Sequence, residues 1–168
     1  VETFFRTKFP EPMNQATPRT GAWRPWLMWG LGAALYGYAF FQRVVPSVMV
    51  ADLMRDFAIG AALVGNLSAF YFYSYASVQV PVGVLVDRFG PRVVLAAGAA
   101  LAGAGSFLMG AADALEFAYA GRLLIGAGVG VSFVASLRLA AIWFPPHRFA
   151  LLSGLTLMAG MAGGIGGQ

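Results

Sequence analysis

From Trp23 onward the chain is divided into apolar runs, most on the order of 20 residues or longer, separated by short links rich in charge or proline. A hydrocarbon layer about 30 Å thick requires about 20 residues of helix to cross it. Inside that layer every backbone polar group must find an internal partner, which helices achieve within a single segment. The expected fold is therefore an all-α membrane protein, and the boundaries follow from where the apolar runs stop.

The first run spans residues 23–51, interrupted by Gln42 and Arg43 and resumed around Pro46; it reads as one long helix ending near Ala51. Residues 52–56 are a charged link. A second run covers 61–86, a tight turn 87–92, a third run 93–112, a link 113–116, a fourth run 117–144, a loop 145–148, and a fifth run from 149 to the end. Prolines and charges mark every junction, as helix stops should. A signal peptide fails as an explanation of the first run, because that run continues past Arg43 and four more follow.

Composition supports the same solvent. Charged residues make up 11% of the 168, against roughly 25% in soluble domains, and the mean hydropathy is +0.71. An apolar soluble core would not collect its charges between long apolar runs. The 22 glycines suit helices that pack closely in lipid. No cysteine is present, so disulfides, thiol chemistry and cysteine metal sites are excluded; no catalytic set, metal site or cofactor is expected. The net charge of +4 does not indicate nucleic-acid binding, because the basic residues sit in separate loops instead of along one face. Residues 1–22, with Pro10, Pro12 and Pro18, read as a polar tail.

Basic residues in short loops orient membrane helices. One side collects Arg6, Lys8, Arg19, Arg24, Arg88, Arg92 and Arg148, and the other has only Arg55. This asymmetry places the N-terminal tail in the cytoplasm of an inner, or plasma, membrane. His147 falls in a loop and reads as a surface residue.

Three arginines remain inside spans: Arg43, Arg122 and Arg138. Each costs roughly 2.5–3.5 kcal/mol or more at mid-helix unless it finds a partner, a cavity or an interface. Arg43 follows Tyr36 in a helix interrupted by Pro46 and has no acid in its own run. It either snorkels outward, meets an acid elsewhere, or lines a cavity and attracts a carboxylate or phosphate. Arg122 lies about 10 Å into the fourth run; it either bonds backbone carbonyls or tunes a proton path. Arg138 sits within snorkelling reach of the cytoplasmic end, and a contact with Asp87 is attractive. In the second run Ser68, Tyr71, Tyr75 and Gln79 share one wedge at helical spacing, so they face protein interior, lining a cavity or bonding a neighbouring helix. Phe70, Phe72 and Tyr73 point elsewhere, toward lipid.

The turn at 87–92 joins two runs sharply. Gly90 can supply a positive φ, and Pro91 can start the next helix. Asp87 ends a helix where the dipole disfavours an anion, so it needs cations, and Arg88 and Arg92 are adjacent in sequence. This stretch resembles the signature between helices two and three of the major facilitator superfamily, a glycine–x–leucine–x–aspartate–arginine–x–glycine–x–arginine pattern. Gly83, Leu85, Asp87, Arg88, Gly90 and Arg92 fall on it, while Pro91 replaces a residue often basic there. Arg122 with Gly126, Gly128 and Gly130 is similar to that family's fourth-helix motif, and the stretch from Trp143 to Arg148 to its next loop. The residues from Tyr38 to Arg43 resemble, more weakly, the first helix of its organophosphate and organic-anion porters, where an arginine contacts the anion.

The resemblance implies the N-terminal half of such a transporter: residues 23–168 as five helices of a six-helix half, with the C-terminal half of the same chain missing. It implies that Asp87 and Arg92 latch the cytoplasmic ends of two halves; Gly83, Arg88, Gly90, Arg122 and Arg138 are grouped with them as gating or motif positions. Arg43, Tyr36, Tyr71, Tyr75 and Gln79 are the expected substrate contacts. The expected function is secondary active transport of a small solute, an organic anion, driven by protons. The alternatives are a transporter-like solute sensor and a drug or metabolite exporter. The fifth run lacks the glycine–proline pair typical of drug/proton antiporters, which counts against the exporter, and no phosphate-binding loop points to ATP. Partners are the solute and membrane lipid.

Overall fold

A computed structural model describes residues 23–168. The tail expected at 1–22, with Arg6, Lys8 and Arg19, lies outside the described residues. Among those described there are eight helices and no strand.

The first, α1 (Trp23–Val48), is 26 residues long and carries Pro46 inside it. It ends three residues earlier than the sequence suggests, at a bend on Met49. The charged link then proves to be a helix, α2 (Val50–Asp56). Asp52 in its first turn and Arg55 in its last match the helix dipole, and Arg55 bridges Asp52 at 2.9 Å and Asp56 at 3.5 Å.

The second apolar run is split. Helix α3 (Ala61–Gln79) stops before Pro81, and α4 (Val82–Phe89) restarts after it. Proline removes one backbone donor and crowds the carbonyl four residues back, which is sufficient reason for the break. Gly90 has φ +81° and ψ 150°, the left-handed value expected of it, and Pro91 opens α5 (Pro91–Gly110). The fourth run holds α6 (Leu115–Gly130) and α7 (Ser132–Trp143), which together form one 29-residue span, Leu115–Trp143. The expected loop at 145–148 shrinks, because Pro146 already starts α8 (Pro146–Gly166) and puts His147 and Arg148 in its first turn. Proline suits that position, where its missing amide has no intrahelical partner anyway.

Three helical stretches are long and apolar enough to cross a membrane by themselves: Pro91–Gly110, Leu115–Trp143 and Pro146–Gly166. A fourth passes only when α2 and α3, bent by 109° to each other, are taken together. Helix α1 has the length, about 39 Å, but its glycines, tyrosines and the Gln42–Arg43 pair dilute its apolar character. The polar tyrosine-rich wedge does the same to α3. Both departures from a plain apolar span therefore arise from the residues that make the candidate site.

The Leu115–Trp143 span is the centre of the bundle: 61% of its apolar 18-residue stretch is buried, against 28% of that in Pro91–Gly110 and 17% of that in Pro146–Gly166. Around it α5 packs on α6, α3 on α6, and α1 on both α7 and α8. Small residues permit this approach. A Cβ on Gly128 would lie 2.5 Å from both the Gly98 carbonyl oxygen and the Ala102 nitrogen. Where α1 meets α8, a Cβ on Gly163 would fall on the Gly37 carbonyl. Core side chains gather in a row: Val82, Val86, Val94, Leu95, Val131, Ala135 and Leu139 near the Asp87 end; Ala39, Tyr71, Ala102, Ile125 and Val129 in the middle; Leu53, Val64, Leu67 and Ala118 near the Asp52 end. The outward faces of α3 to α5 and α8 expose Tyr73, Val84, Phe107, Met158, Met161 and Ile165, an apolar coat suited to lipid.

Candidate functional site

The middle of the bundle contains the polar residues that the apolar runs do not explain. Arg43 projects from α1 toward α3, half-buried. Its Nε donates to the Tyr71 hydroxyl at 3.5 Å. Its guanidinium carbon lies 4.4 Å from the centre of the Phe40 ring and 4.6 Å from that of Tyr75, with Phe72 at 5.8 Å. Such faces attract a cation and are worth more when water is scarce. Among the described residues no carboxylate reaches Arg43 within ion-pair distance. The cation is thus cradled by π faces and one hydroxyl, not neutralised.

Tyr71 is 1% exposed, and its hydroxyl donates to the Ala39 carbonyl at 2.9 Å while accepting from Arg43. Tyr75, one turn along α3, stacks on Tyr71 with ring centres 6.1 Å apart. Of the expected wedge, Tyr71 and Tyr75 come together with Arg43. Tyr36 joins through Phe40, whose ring it meets edge-on at 5.1 Å; it also packs on Phe133 and against Gly160. Gln79 is elsewhere, with its amide donating to the Gly130 carbonyl at 3.2 Å, which ties α3 to the end of α6. Of the residues expected to face lipid, Tyr73 does so at 66% exposure. Phe72 reaches back to Arg43, and Phe70 stacks on Tyr119 at 4.7 Å.

Arg122, 1% exposed on α6, reaches across to α1. Its Nη1 donates to the Gln42 carbonyl at 2.9 Å and to Gln42 Oε1 at 3.4 Å, while Nε and Nη2 have no partner. Gln42 in turn donates to the Tyr38 hydroxyl and to Ser106 Oγ, which itself bonds Tyr38. Of this knot of α1, α5 and α6, the sequence offered the bond from Arg122 to a backbone carbonyl but not its partner, since it shows Gln42 only as a break in an apolar run. The available signal was a polar residue four positions before a proline.

At the other end, Asp87 finds a different partner from those its neighbours suggest. Arg138 on α7 donates to Asp87 Oδ1 at 3.0 Å. Arg88 turns instead to Phe89, and Arg92 sits 4.0 Å over the Trp143 ring. The Asp87–Arg138 contact that the sequence offered is thus made, while the adjacent Arg88 and Arg92 lie on aromatic rings instead. Gly83, exposed one turn before Asp87, borders a shallow pocket with Asp87, Arg138 and Phe149.

The described residues thus combine glycine-packed apolar helices, a charged hairpin and two arginines, Arg43 and Arg122, in the middle of the bundle. Residues 19–167 match the family model described as Major Facilitator Superfamily. The chain belongs to that superfamily. Among its relatives, the uncharacterized transporter YybO of Bacillus subtilis is 29% identical over 85% of this chain and 33% of its own length. The probable sulfoacetate transporter SauU of Cupriavidus necator is 26% identical over 80% of this chain and 31% of its own. Monocarboxylate transporter 3 of Rattus norvegicus is 32% identical over 82% of this chain and 28% of its own. The chain thus spans about a third of the length of these curated relatives. Superfamily membership makes it part of a multi-pass membrane transporter family and sets it apart from enzymes.

Proposed function

We propose that this chain is the N-terminal half-bundle of a secondary active transporter for a small organic anion, and that Arg43 contacts the anion. The carrying observation is the state of Arg43: a half-buried cation on three aromatic faces and a tyrosine hydroxyl, with no carboxylate to neutralise it among the described residues. A planar guanidinium matches a carboxylate or sulfonate with paired hydrogen bonds. Tyr71 holds it in place through α1, Tyr75 and Phe40 hold it from the sides, and Tyr36 backs Phe40. Two relatives, a probable sulfoacetate transporter and a monocarboxylate transporter, support an anionic solute. Transport proceeds by rocking of two half-bundles around a midplane site, with a proton gradient as the driving force and the Asp87 end cytoplasmic.

The test is uptake into proteoliposomes by the full-length protein. A panel of labelled small carboxylates and sulfonates, with sulfoacetate included, is offered with and without an imposed proton gradient. Saturable uptake of an anion, stimulated by inward protons, is the expected result. Uptake restricted to neutral or cationic solutes would overturn the anion reading; binding without any uptake would favour a sensor.

A further inference from the structure

We propose that Arg122 stands in for the backbone amide that Pro46 removes from α1, and that through this contact α6 positions Arg43. In an α-helix the carbonyl of residue 42 accepts from the amide of residue 46. Residue 46 is a buried proline inside α1, so that amide hydrogen does not exist, and the ring crowds the same carbonyl. The Gln42 carbonyl is left over in the middle of a membrane bundle, where an unmatched acceptor is costly. Arg122 Nη1 fills the vacancy at 2.9 Å.

The acceptor is not an arbitrary one. The Gln42 carbonyl and the Arg43 nitrogen belong to one rigid peptide plane. A donor that fixes the oxygen therefore fixes the direction in which α1 presents Arg43. The side chain of Gln42 is tethered as well, to Tyr38, to Ser106 and to Arg122 itself. The peptide before Arg43 is thus held by α5 and α6 together, at the one point where α1 has lost its own restraint.

Burial of Arg122 strengthens the case. A fully enclosed guanidinium with Nε and Nη2 unpartnered is an expensive way to fill space. A leucine would pack the same volume without that cost, but it could not donate across to α1. What the arginine adds is a charge-assisted donor with the reach to meet that carbonyl. Arg122 is accordingly a positioning residue: it acts on solute through Arg43. Its effect on affinity rests on the anion reading above, whereas the Gln42 contact does not.

The experiment uses a property peculiar to this arrangement, namely that Pro46→Ala gives the Gln42 carbonyl its helical amide back. In the full-length protein, Arg122→Met is expected to weaken sulfoacetate binding about tenfold, the loss of one hydrogen bond from a charged donor. Pro46→Ala alone should change it little, and Pro46→Ala with Arg122→Met should recover most of the loss. A role in filling space predicts no recovery, since the proline change restores no volume at position 122. Nitroxide labels at Val48 and Phe117 read the same restraint whichever anion binds. Their distance distribution should broaden or shift in Arg122→Met and return in the double variant. An unchanged distribution in a folded Arg122→Met protein, or no return with Pro46→Ala, overturns the proposal. If Arg43→Gln leaves anion affinity intact while the distances behave as expected, the anion reading fails and the positioning role stands. Should Arg122→Met not accumulate, Arg122→Leu, which likewise cannot donate to the Gln42 carbonyl, replaces it with the same outcomes.

Discussion

Asp87 and Arg138 are joined across α4 and α7 by a 3.0 Å ion pair, although 51 positions separate them and two other arginines lie closer in sequence. Both side chains are more than half exposed, at 66% and 52%. An exposed pair of this kind is worth roughly 0–1 kcal/mol, too little to hold a helix bundle together. A term of that size biases two conformers only where their energies are nearly equal, and on that ground we propose the pair as a gate.

The first prediction follows from that pairing. Asp87→Asn and Arg138→Gln should each lower the transport rate of the full-length protein by up to about fivefold, the most that about 1 kcal/mol allows, with solute affinity unchanged. The double variant should be little worse than either single one, because both remove the same interaction. Arg88→Gln should not reproduce the effect. Rates and affinities measured on the four proteins decide it; additive losses, or abolished binding in folded Asp87→Asn, would reject the gate.

A second prediction concerns the cradle of Arg43. Arg43→Lys keeps the charge but loses the planar fork, so affinity for a carboxylate or sulfonate should fall, and Arg43→Gln should lower it further. Tyr75→Phe should be tolerated, whereas Tyr75→Leu should weaken binding several-fold through loss of a π face worth about 0.5–2 kcal/mol. Equilibrium binding and thermal stability are to be measured on the same preparations. Normal anion affinity in well-folded Arg43→Gln would remove the site.

Sidedness gives a third. The 87–92 turn and the 145–148 segment should lie in the cytoplasm, and the 52–56 and 113–116 segments outside it, as the excess of basic residues on one side directs. Cysteines introduced singly at Arg88, His147, Arg55 and Asp113 should react with an impermeant thiol reagent in intact cells only at Arg55 and Asp113. Labelling at Arg88 from outside would invert the topology.

The fourth is a contrast between glycines. Gly163→Ala and Gly128→Ala place a methyl group against backbone atoms of a neighbouring helix, an overpacking expected to cost about 1–3 kcal/mol. Gly103→Ala meets nothing within 4 Å and should be neutral. Melting of the purified variants in detergent should fall for the first two alone; equal tolerance at all three positions would refute the close approach of α1 to α8 and of α5 to α6.

Hydropathy alone determined that this chain is helical and membrane-bound, because long apolar runs between charged links admit few other solutions in lipid. Local chemistry likewise made the Gly90–Pro91 turn legible, since a positive φ and a proline at a helix start depend on the residues concerned and their immediate neighbours. The Ser68–Tyr71–Tyr75–Gln79 wedge was visible as periodicity, but not its contacts. Only the tertiary structure separated Gln79, which caps Gly130, from Tyr71 and Tyr75, which meet Arg43. Only it chose Arg138 over Arg88 and Arg92 among the cations that the sequence offered to Asp87, and placed the Arg122 guanidinium on the Gln42 carbonyl, four residues before a buried proline of α1. The physical reason is the same in each case. Burial and backbone conformation are encoded locally, whereas the partner of a polar side chain depends on which helix faces it, and that is fixed by the packing of the whole bundle.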